Sequence, residues 1–263
     1  MENLRISLLQ TDLVWHDAES NRQNITEKLR AIVPNTTDVL VLPEMFTSGF
    51  TMKAKEVAET MQGKTMQAMA TWAKQINAAV CGSLVIKDNE QYYNRLVWML
   101  PNGTYQFYDK KHLFRMANEH KVYQAGHKKI IVRYKGWRLC LMVCYDLRFP
   151  VWSRNRFDKT NETYDCLVYV ANWPAIRSYA WQQLLKARAI ENLSYVVGLN
   201  RVGLDAKNIN YSGNSLVANY KGELLWTNDG ENILATTEII KQDLIDYRNS
   251  FPAWQDADAF NWV

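Results

Sequence analysis

The chain has 263 residues, of which 48% are hydrophobic and 22% are charged, and its formal net charge is +4 at pH 7. The apolar fraction is sufficient for a core, and the absence of linkers, repeats and low-complexity stretches favours one domain covering residues 1–263. The mild, scattered positive charge argues against nucleic-acid binding. The longest apolar runs fall far short of the ~20 residues that cross a bilayer. Because the N-terminus enters a strand without a leader, we expect no membrane association and a cytoplasmic protein.

Apolar runs and helical spacing predict both strands and helices along the chain. In chain order they are strand 4–10, helix 17–33, strand 38–43, helix 64–76, strands 79–86, 92–100, 104–109, 130–134, 137–144 and 166–171, helix 178–192, and strands 195–200, 214–219 and 223–227. The last helix is expected to turn Leu184, Leu185, Ala189 and Ile190 towards a sheet. So many strands with so few helices indicate a layered α/β fold with two sheets.

The segment 138–150 carries the clearest indication of chemistry. Residues 138–143 are almost entirely apolar, which is typical of a strand buried on both faces, and Asp146 and Pro150 end that run. Cys144 is therefore expected at the end of a strand, where a scaffold can present it to a cleft. A thiolate is a strong nucleophile. For a lone cysteine, however, a buried structural role is the commoner explanation.

Two further segments favour the nucleophile. Glu44 directly follows the predicted strand 38–43, and its apolar neighbours are expected to desolvate its carboxylate. Lys110 directly follows the predicted strand 104–109. Taken singly, Glu44 is explained equally well as a solvated loop acid, and a solvated face is the usual explanation for two adjacent lysines such as Lys110 and Lys111. The prediction therefore depends on the combination of all three segments.

The three motifs resemble, in order and spacing, the Glu–Lys–Cys signature of the nitrilase superfamily, the carbon–nitrogen hydrolases. They are Pro43-Glu44, Tyr108-x-Lys110-x-His112-Leu113 and Cys144-Tyr145-Asp146-Leu147-Arg148-Phe149-Pro150. The fuller strings 42–50, 109–116 and 169–174 resemble the bacterial omega-amidase branch, and the resemblance extends from residue 4 to residue 258. It implies an α/β fold, the four-layer αββα sandwich of the superfamily, and a homodimer that associates through helices next to the active-site strands.

The resemblance also implies catalytic roles. Cys144 would attack an amide carbonyl and form a thioester, while Glu44 would take the thiol proton, return it to the leaving ammonia and later activate water. Lys110 and the backbone N–H of Tyr145 would stabilise the oxyanion. Glu119 resembles the second glutamate of the superfamily, which braces the lysine and the substrate amide, although its stretch matches less tightly and an ordinary loop is the alternative.

The omega-amidase resemblance implies a small amide substrate that carries a carboxylate. Omega-amidases act on short dicarboxylic monoamides such as 2-oxoglutaramate, so a cationic group must bind the carboxylate. Trp173 follows the predicted strand 166–171 and is expected to wall the pocket. Arg177 is the candidate clamp, because a guanidinium presents paired donors to a carboxylate. A solvent-facing arginine is the alternative explanation.

Four cysteines and four histidines lack the spacing of metal ligands, and the resemblance implies no metal or organic cofactor. Cys140 and Cys144 would lie ~13 Å apart on one strand, too far for a disulfide, so we expect reduced thiols.

His112 is expected to support the site through a hydrogen bond or to pack in the core. Asp146 and Arg148 are expected to pair with each other or to bridge loops. The C-terminal tail contains aromatic residues that are expected to pack on their own subunit or on a partner: Phe251, Trp254, Phe260 and Trp262.

Other activities of the superfamily use similar residues. Nitrile hydrolysis, N-carbamoyl hydrolysis and the hydrolysis of deaminated glutathione are therefore alternatives. A binding protein that retains the fold without turnover is a further alternative, although it would not need Glu44, Lys110 and Cys144 together. Ammonia release from a panel of amides separates these hypotheses.

Overall fold

The computed structural model describes residues 3–157 and 163–258. Within these ranges the strands are β1 Leu4–Gln10, β2 Val39–Val41, β3 Ala79–Asp88, β4 Gln91–Met99, β5 Tyr105–Asp109, β6 Ile131–Tyr134, β7 Trp137–Val143, β8 Cys166–Ala171, β9 Tyr195–Asn200, β10 Val202–Leu204, β11 Asn210–Ala218, β12 Leu224–Asp229 and β13 Ile233–Ile239. The α-helices are α1 Ala18–Leu29, α2 Ala54–Val57, α3 Lys64–Ile76, α4 Pro150–Ser153, α5 Ser178–Glu191 and α6 Lys241–Ser250. In this described part of the chain, each helix is too short or too polar to span a bilayer.

The strands form two sheets whose central strands are parallel. The first sheet has the order β13-β1-β2-β3-β4-β5, and the second has the order β10-β11-β9-β8-β7-β6, with β12 paired to β11. Strands β1, β2 and β3 are parallel, as are β7, β8 and β9. Strand β5 is antiparallel to β4, which is antiparallel to β3, so β5 runs in the same direction as β3. In each sheet, strands of one direction therefore end at a common edge, where sites in α/β proteins usually form.

The two sheets pack face to face between layers of helices. Alternate residues of β1 separate into two cores: Leu4, Ile6 and Leu8 face the second sheet's core, whereas Leu9 packs with residues of α1 and α3. Helix α5 covers β9 so closely that a Cβ atom at Gly198 would lie 2.3 Å from Leu185 Cδ1. The predicted four-layer αββα sandwich is confirmed.

The observed elements differ from the predicted ones mainly in polar segments. Strands β10 and β13 and helix α6 were not predicted, because their sequences lack a sustained apolar pattern. The predicted helix 17–33 ends at Leu29, and Val33 is 64% exposed. Pro34 explains part of this difference, since the residue before a proline avoids helical conformation. The prediction that Ile190 faces a sheet is wrong, because this side chain is 52% exposed.

The described part of the C-terminal tail packs on its own chain. The ring of Trp254 stacks on that of Phe157, with centroids 5.1 Å apart and an interplanar angle of 23°. Phe251 lies 5.9 Å from the ring of Tyr247. The predicted packing of Phe260 and Trp262 falls outside the described residues.

Candidate active site

Glu44 lies in a tight turn that follows β2. The next residue, Met45, has φ of +43°, a left-handed conformation that is uncommon for a residue with a side chain. Strand β3 supports this turn, because the Met45 N–H donates to Ser83 Oγ at 2.9 Å. The close packing of this turn against β3 requires glycine at position 82, because a Cβ atom there would lie 2.8 Å from Leu42 Cβ. The turn buries the Glu44 side chain completely.

Lys110 continues β5 by one residue, and its backbone is held from two sides. Its N–H donates to the Asn94 carbonyl at 3.0 Å, and its carbonyl accepts from the Gly126 N–H at 2.9 Å. Only glycine fits at 126, since a Cβ atom would lie 2.0 Å from the Asp109 carbonyl oxygen. Arg95 then fixes Asp109 with two parallel hydrogen bonds of 2.7 and 3.0 Å. These contacts direct the Lys110 side chain into the protein interior.

Glu44, Lys110 and Glu119 form one buried cluster. The Lys110 ammonium donates to Glu44 Oε1 at 2.9 Å and to the two Glu119 oxygens at 3.1 and 3.0 Å. Burial alone would lower the pKa of Lys110, but the two carboxylates outweigh burial and raise that pKa above its ordinary value. Burial raises the pKa of Glu119, and the charge of Lys110 opposes this rise. The cluster thus holds two acids around one permanent cation.

Cys144 directly follows β7 and begins the 3₁₀ turn Cys144–Arg148. Its φ of +45° is a strained backbone conformation of the kind that concentrates at functional sites. The thiol Sγ lies 3.9 Å from the Asn172 carbonyl oxygen. Burial raises the pKa of the Cys144 thiol well above its ordinary value, and the Glu44 charge raises it further, against the opposing effect of Lys110. The raised pKa favours the thiol over the thiolate, so attack by the sulfur calls for a base.

Asp146 bridges two loops of the site. Its buried carboxylate accepts from the Tyr108 hydroxyl at 2.8 Å and from the backbone N–H and ring Nδ1 of His112 at 2.9 and 2.8 Å. Of the alternatives for Asp146 and Arg148, this geometry agrees with loop bridging, while the Arg148 guanidinium lies 5.0 Å over the Trp173 ring. His112 agrees with a supporting hydrogen bonder. Asp146 thus ties the nucleophile turn to the loop that follows β5.

A cavity of about 100 Å³ opens beside Cys144. Pockets for drug-sized ligands are several times larger, which points to a small ligand. Lys110 is one of its lining residues, and the others are mostly aromatic or charged: Phe50, Met52, Phe114, Ala117, Cys144, Tyr145, Arg148, Asn172, Trp173, Pro174, Arg177, Asp205, Lys207, Ile209 and Tyr211. The structure thus places Tyr145, Trp173 and Arg177 around one cavity with the predicted nucleophile.

Trp173 and Arg177 are linked in the wall of this cavity. Trp173 is buried, and its indole N–H donates to the Arg177 carbonyl at 2.8 Å. This bond closes the 3₁₀ turn Ala175–Arg177. The Arg177 side chain is half-buried, with its guanidinium 5.5 Å over the Phe114 ring. Arg177 therefore lies in the cavity wall rather than in open solvent.

The acidic residue of the cavity, Asp205, is occupied by its own loop. One carboxylate oxygen accepts the backbone N–H groups of Lys207 and Ile209 at 2.8 and 3.0 Å, and the other lies 3.2 Å from the Tyr211 hydroxyl. The cationic side chains of Arg148, Arg177 and Lys207 also line the cavity and give it a positive character. Among the described residues, no group of three or more histidine, cysteine, aspartate or glutamate side chains is arranged to hold a metal ion.

The sequence did not predict a role in the site for two asparagines, Asn94 and Asn172. Asn94 Nδ2 donates to Glu44 Oε1 at 2.8 Å and to Glu119 Oε1 at 3.3 Å. The Asn172 backbone N–H donates to Glu44 Oε2 at 2.8 Å, and its side chain donates to the Glu44 carbonyl. Asn172 lies in the segment 169–174, directly after β8, and this position at a strand end could have identified it. Asn94 lies within β4 and carries no comparable signal.

Comparison with known proteins gives a consistent result. The sequence profile of the carbon–nitrogen hydrolase family matches residues 5–249. The chain is 48% identical over 261 residues to the omega-amidase YafV of Escherichia coli, covering 99% of each chain, and 31% identical over 257 residues to the 2-oxoglutaramate amidase of Bacillus subtilis, covering 95% and 96%. A CN-hydrolase superfamily protein of Xanthomonas campestris, with an arsenic adduct in its active site, superimposes with a TM-score of 0.97 at 43% identity and complete coverage of both chains. The chain therefore belongs to the carbon–nitrogen hydrolase family, the nitrilase superfamily.

Proposed function

We propose that this enzyme is an omega-amidase, which hydrolyses the terminal amide of short dicarboxylic acid monoamides of the 2-oxoglutaramate type to the acid and ammonia. The observation that carries the proposal is the buried Glu44–Lys110–Glu119 cluster, whose lysine lines a small cavity together with Cys144 and two arginines. The similarity to an omega-amidase and to a 2-oxoglutaramate amidase supports the choice of substrate.

The first half of the reaction acylates the enzyme. Glu44 takes the proton of the Cys144 thiol as the sulfur attacks the amide carbon, which forms a tetrahedral intermediate. The Lys110 ammonium and the Tyr145 backbone N–H stabilise the oxyanion, and Glu119 holds Lys110 in place. Glu44 then passes its proton to the amide nitrogen, the C–N bond breaks, and ammonia leaves a thioester on Cys144.

The second half releases the acid. Glu44 is again a carboxylate and takes a proton from water, whose oxygen attacks the thioester carbon. The same oxyanion donors stabilise the second tetrahedral intermediate. When it collapses, the C–S bond breaks, the acid product leaves, and the proton on Glu44 returns to the Cys144 sulfur. The raised pKa of Cys144 supports this cycle, since the thiol form is restored at the end.

Arg177 is proposed to bind the distal carboxylate of the substrate, with Trp173 as the adjoining wall. The support is positional: both residues line the cavity, and the Trp173 indole fixes the turn that carries Arg177. A guanidinium offers paired donors that match a carboxylate. This contact would favour dicarboxylic monoamides over neutral amides.

A substrate panel tests the proposal. Ammonia release is measured with 2-oxoglutaramate, succinamate, a neutral aliphatic amide, a carbamoyl amino acid and a simple nitrile. We expect the two carboxylated amides to have the highest kcat/KM. Cys144→Ala should be inactive but folded, and iodoacetamide should label Cys144 before Cys81 or Cys166. Preference for the nitrile or the carbamoyl compound would refute the omega-amidase assignment, and turnover by Cys144→Ala would refute the thioester.

We further propose a homodimer that associates through α4 and α5. Apolar side chains on and beside these helices are unusually exposed, namely Val151 at 53%, Ile176 at 89%, Tyr179 at 77% and Ile190 at 52%. Sedimentation equilibrium is expected to give twice the chain mass for the wild type and a lower mass for Tyr179→Glu. A monomeric wild type at micromolar concentration would refute the dimer.

We also propose one folding domain and a cytoplasmic location. The first point is supported by the core between the sheets, which contains residues from the N-terminal and C-terminal parts of the chain, such as Ile6 and Ile239. One domain should therefore unfold in a single cooperative transition. The second point is supported by the four cysteines, which form no disulfide and suit a reducing compartment. Cell fractionation tests the location.

A further inference from the structure

The side chain of Asn94 lies between the two glutamates of the site and is completely buried. Its single amide nitrogen donates to Glu44 Oε1 at 2.8 Å and to Glu119 Oε1 at 3.3 Å. Asn94 thus touches both acids that share Lys110, and its own backbone carbonyl accepts the Lys110 N–H at 3.0 Å. This one residue of β4 contacts all three members of the charged cluster.

Ser83 fixes which end of the Asn94 amide faces the acids. Ser83 Oγ accepts the Met45 N–H at 2.9 Å, and its hydroxyl proton is donated to Asn94 Oδ1 at 2.8 Å. Because the amide oxygen is held by Ser83, the amide nitrogen must point towards the carboxylates. The same serine supports the left-handed backbone of Met45, the residue after Glu44. Ser83 therefore links the backbone next to Glu44 to the orientation of the Asn94 amide.

We propose that Asn94, oriented by Ser83, is a positioning residue that holds Glu44 in place and keeps its carboxylate available as the base. Two buried carboxylates around one ammonium tend to share a proton, because like charges disfavour double ionisation. A neutral donor that reaches both carboxylates favours their charged forms without adding a further charge. If Asn94 could not donate, the pair of carboxylates would lose a donor that both accept, and the pair would more readily retain a proton and take up the thiol proton less well.

This inference rests on the proposed function only for the identity of the substrate, and its test has a readout that needs no substrate. The inactivation rate of the enzyme by iodoacetamide is measured from pH 5 to pH 9 for wild type, Asn94→Leu and Ser83→Ala, beside kcat/KM for succinamate. For Asn94→Leu we expect the acid limb of both profiles to move up by about one pH unit, with kcat/KM at pH 6 at least about tenfold lower. Ser83→Ala, a small truncation that should fold readily, is expected to shift both profiles in the same direction by less.

Asn155→Leu is the matched control. Asn155 is also a buried asparagine whose Nδ2 donates two hydrogen bonds, but these go to the backbone carbonyls of Tyr164 and Asn192. It should lower the melting temperature without moving the acid limb. A folded Asn94→Leu or Ser83→Ala enzyme whose alkylation profile superimposes on that of the wild type would overturn the inference. Failure of succinamate hydrolysis alone would instead count against the substrate assignment and leave the alkylation result decisive.

Discussion

Two buried charge clusters of this enzyme are built with opposite ratios of acid to base. At the site, Glu44 and Glu119 share one cation, Lys110. Beneath the opposite end of β8, one acid, Asp165, receives hydrogen bonds from three cations, which come from distant parts of the chain: Arg138, Lys241 and Arg248. Both acid groups are shielded from solvent, so the difference between them is the number of partners.

That difference appears in the pKa values. Burial would raise the pKa of Asp165, but hydrogen bonds from Arg138 and Lys241 outweigh burial and lower it. At the site the single cation does not overcome burial, and the pKa of Glu119 is raised. A saturated carboxylate such as Asp165 has little capacity to accept a proton and serves structure. A cluster with too few cations retains an acid that can exchange protons, which is what general acid–base catalysis needs.

The largest expected effect comes from removing the proposed base. Glu44→Gln keeps the shape of the side chain and removes one charge from a cluster that has an excess of acid, so the melting temperature should change little. We expect kcat to fall on the order of 10⁴-fold or more, because both acylation and thioester hydrolysis need this carboxylate. Steady-state kinetics and calorimetry measure the two quantities. Near-normal kcat would exclude Glu44 as the base.

Asp165→Asn should show the reverse pattern. Three cations would lose their common carboxylate, which is expected to lower the free energy of unfolding by about 3–5 kcal/mol while kcat of the folded enzyme stays unchanged. The pKa of Asp165 is depressed in the folded state, so its stabilisation is present above the unfolded pKa of 3.8 and is lost as pH falls through the folded value. Urea unfolding between pH 3 and pH 7 should therefore show a weaker acid-side loss of stability in the variant than in the wild type. A large loss of kcat in folded Asp165→Asn would contradict the purely structural role of the Asp165 cluster.

Lys110→Met tests the single cation of the site. The oxyanion would lose one donor, which is expected to raise the barrier by about 3 kcal/mol or more and so lower kcat/KM at least about 100-fold. Because Glu44 and Glu119 would then lie together without a cation, one of them should take up a proton on folding. Proton uptake, measured by calorimetric refolding in buffers of different ionisation enthalpy, checks this second effect. Wild-type proton uptake would show that Lys110 does not control the charge of the pair.

Much of the site follows from local sequence, because Lys110 and Cys144 directly follow β5 and β7, and Glu44 lies three residues after β2. Strands β2 and β5 belong to the first sheet and β7 to the second, so the meeting of the three side chains was predicted by the resemblance of their motifs to the Glu–Lys–Cys signature, not by a common sheet edge. Asn94 could not be found in this way. It lies inside β4, opposite Val85 of β3, and only the hydrogen bonds of the folded chain show that its amide reaches the two acids.

Long-range pairing set the limit for the fold as well. The central strands were predicted because their apolar runs are local signals. Strand β13 has a mixed polar sequence and becomes a strand through antiparallel pairing with β1. This pairing places Ser7 opposite Thr236, 229 positions away, with their hydroxyl oxygens 2.7 Å apart. The Asp165 cluster likewise joins Arg138 of β7 to Lys241 and Arg248 of α6. No local sequence pattern predicts that these residues share one carboxylate.

The smallest expected effect concerns the mouth of the cavity, where two arginines differ in their surroundings. Arg177 is half-buried over Phe114, whereas Arg148 is exposed beside Trp173. Desolvated charges bind a carboxylate more strongly than exposed ones, so Arg177→Ala should raise KM for succinamate by about 1.5–3 kcal/mol, or roughly 10- to 150-fold, with little change in kcat.

Arg148→Ala is the matched control for this prediction and should raise KM for succinamate by less than Arg177→Ala does. Neither substitution should alter kcat/KM for a neutral amide, because that substrate carries no carboxylate. If Arg177→Ala impairs both substrates equally, its side chain supports the turn that Trp173 closes rather than the substrate. If Arg148→Ala has the larger effect on succinamate, solvent exposure is a poor guide to the clamp, and the carboxylate binds nearer the outer rim than the burial of Arg177 implies.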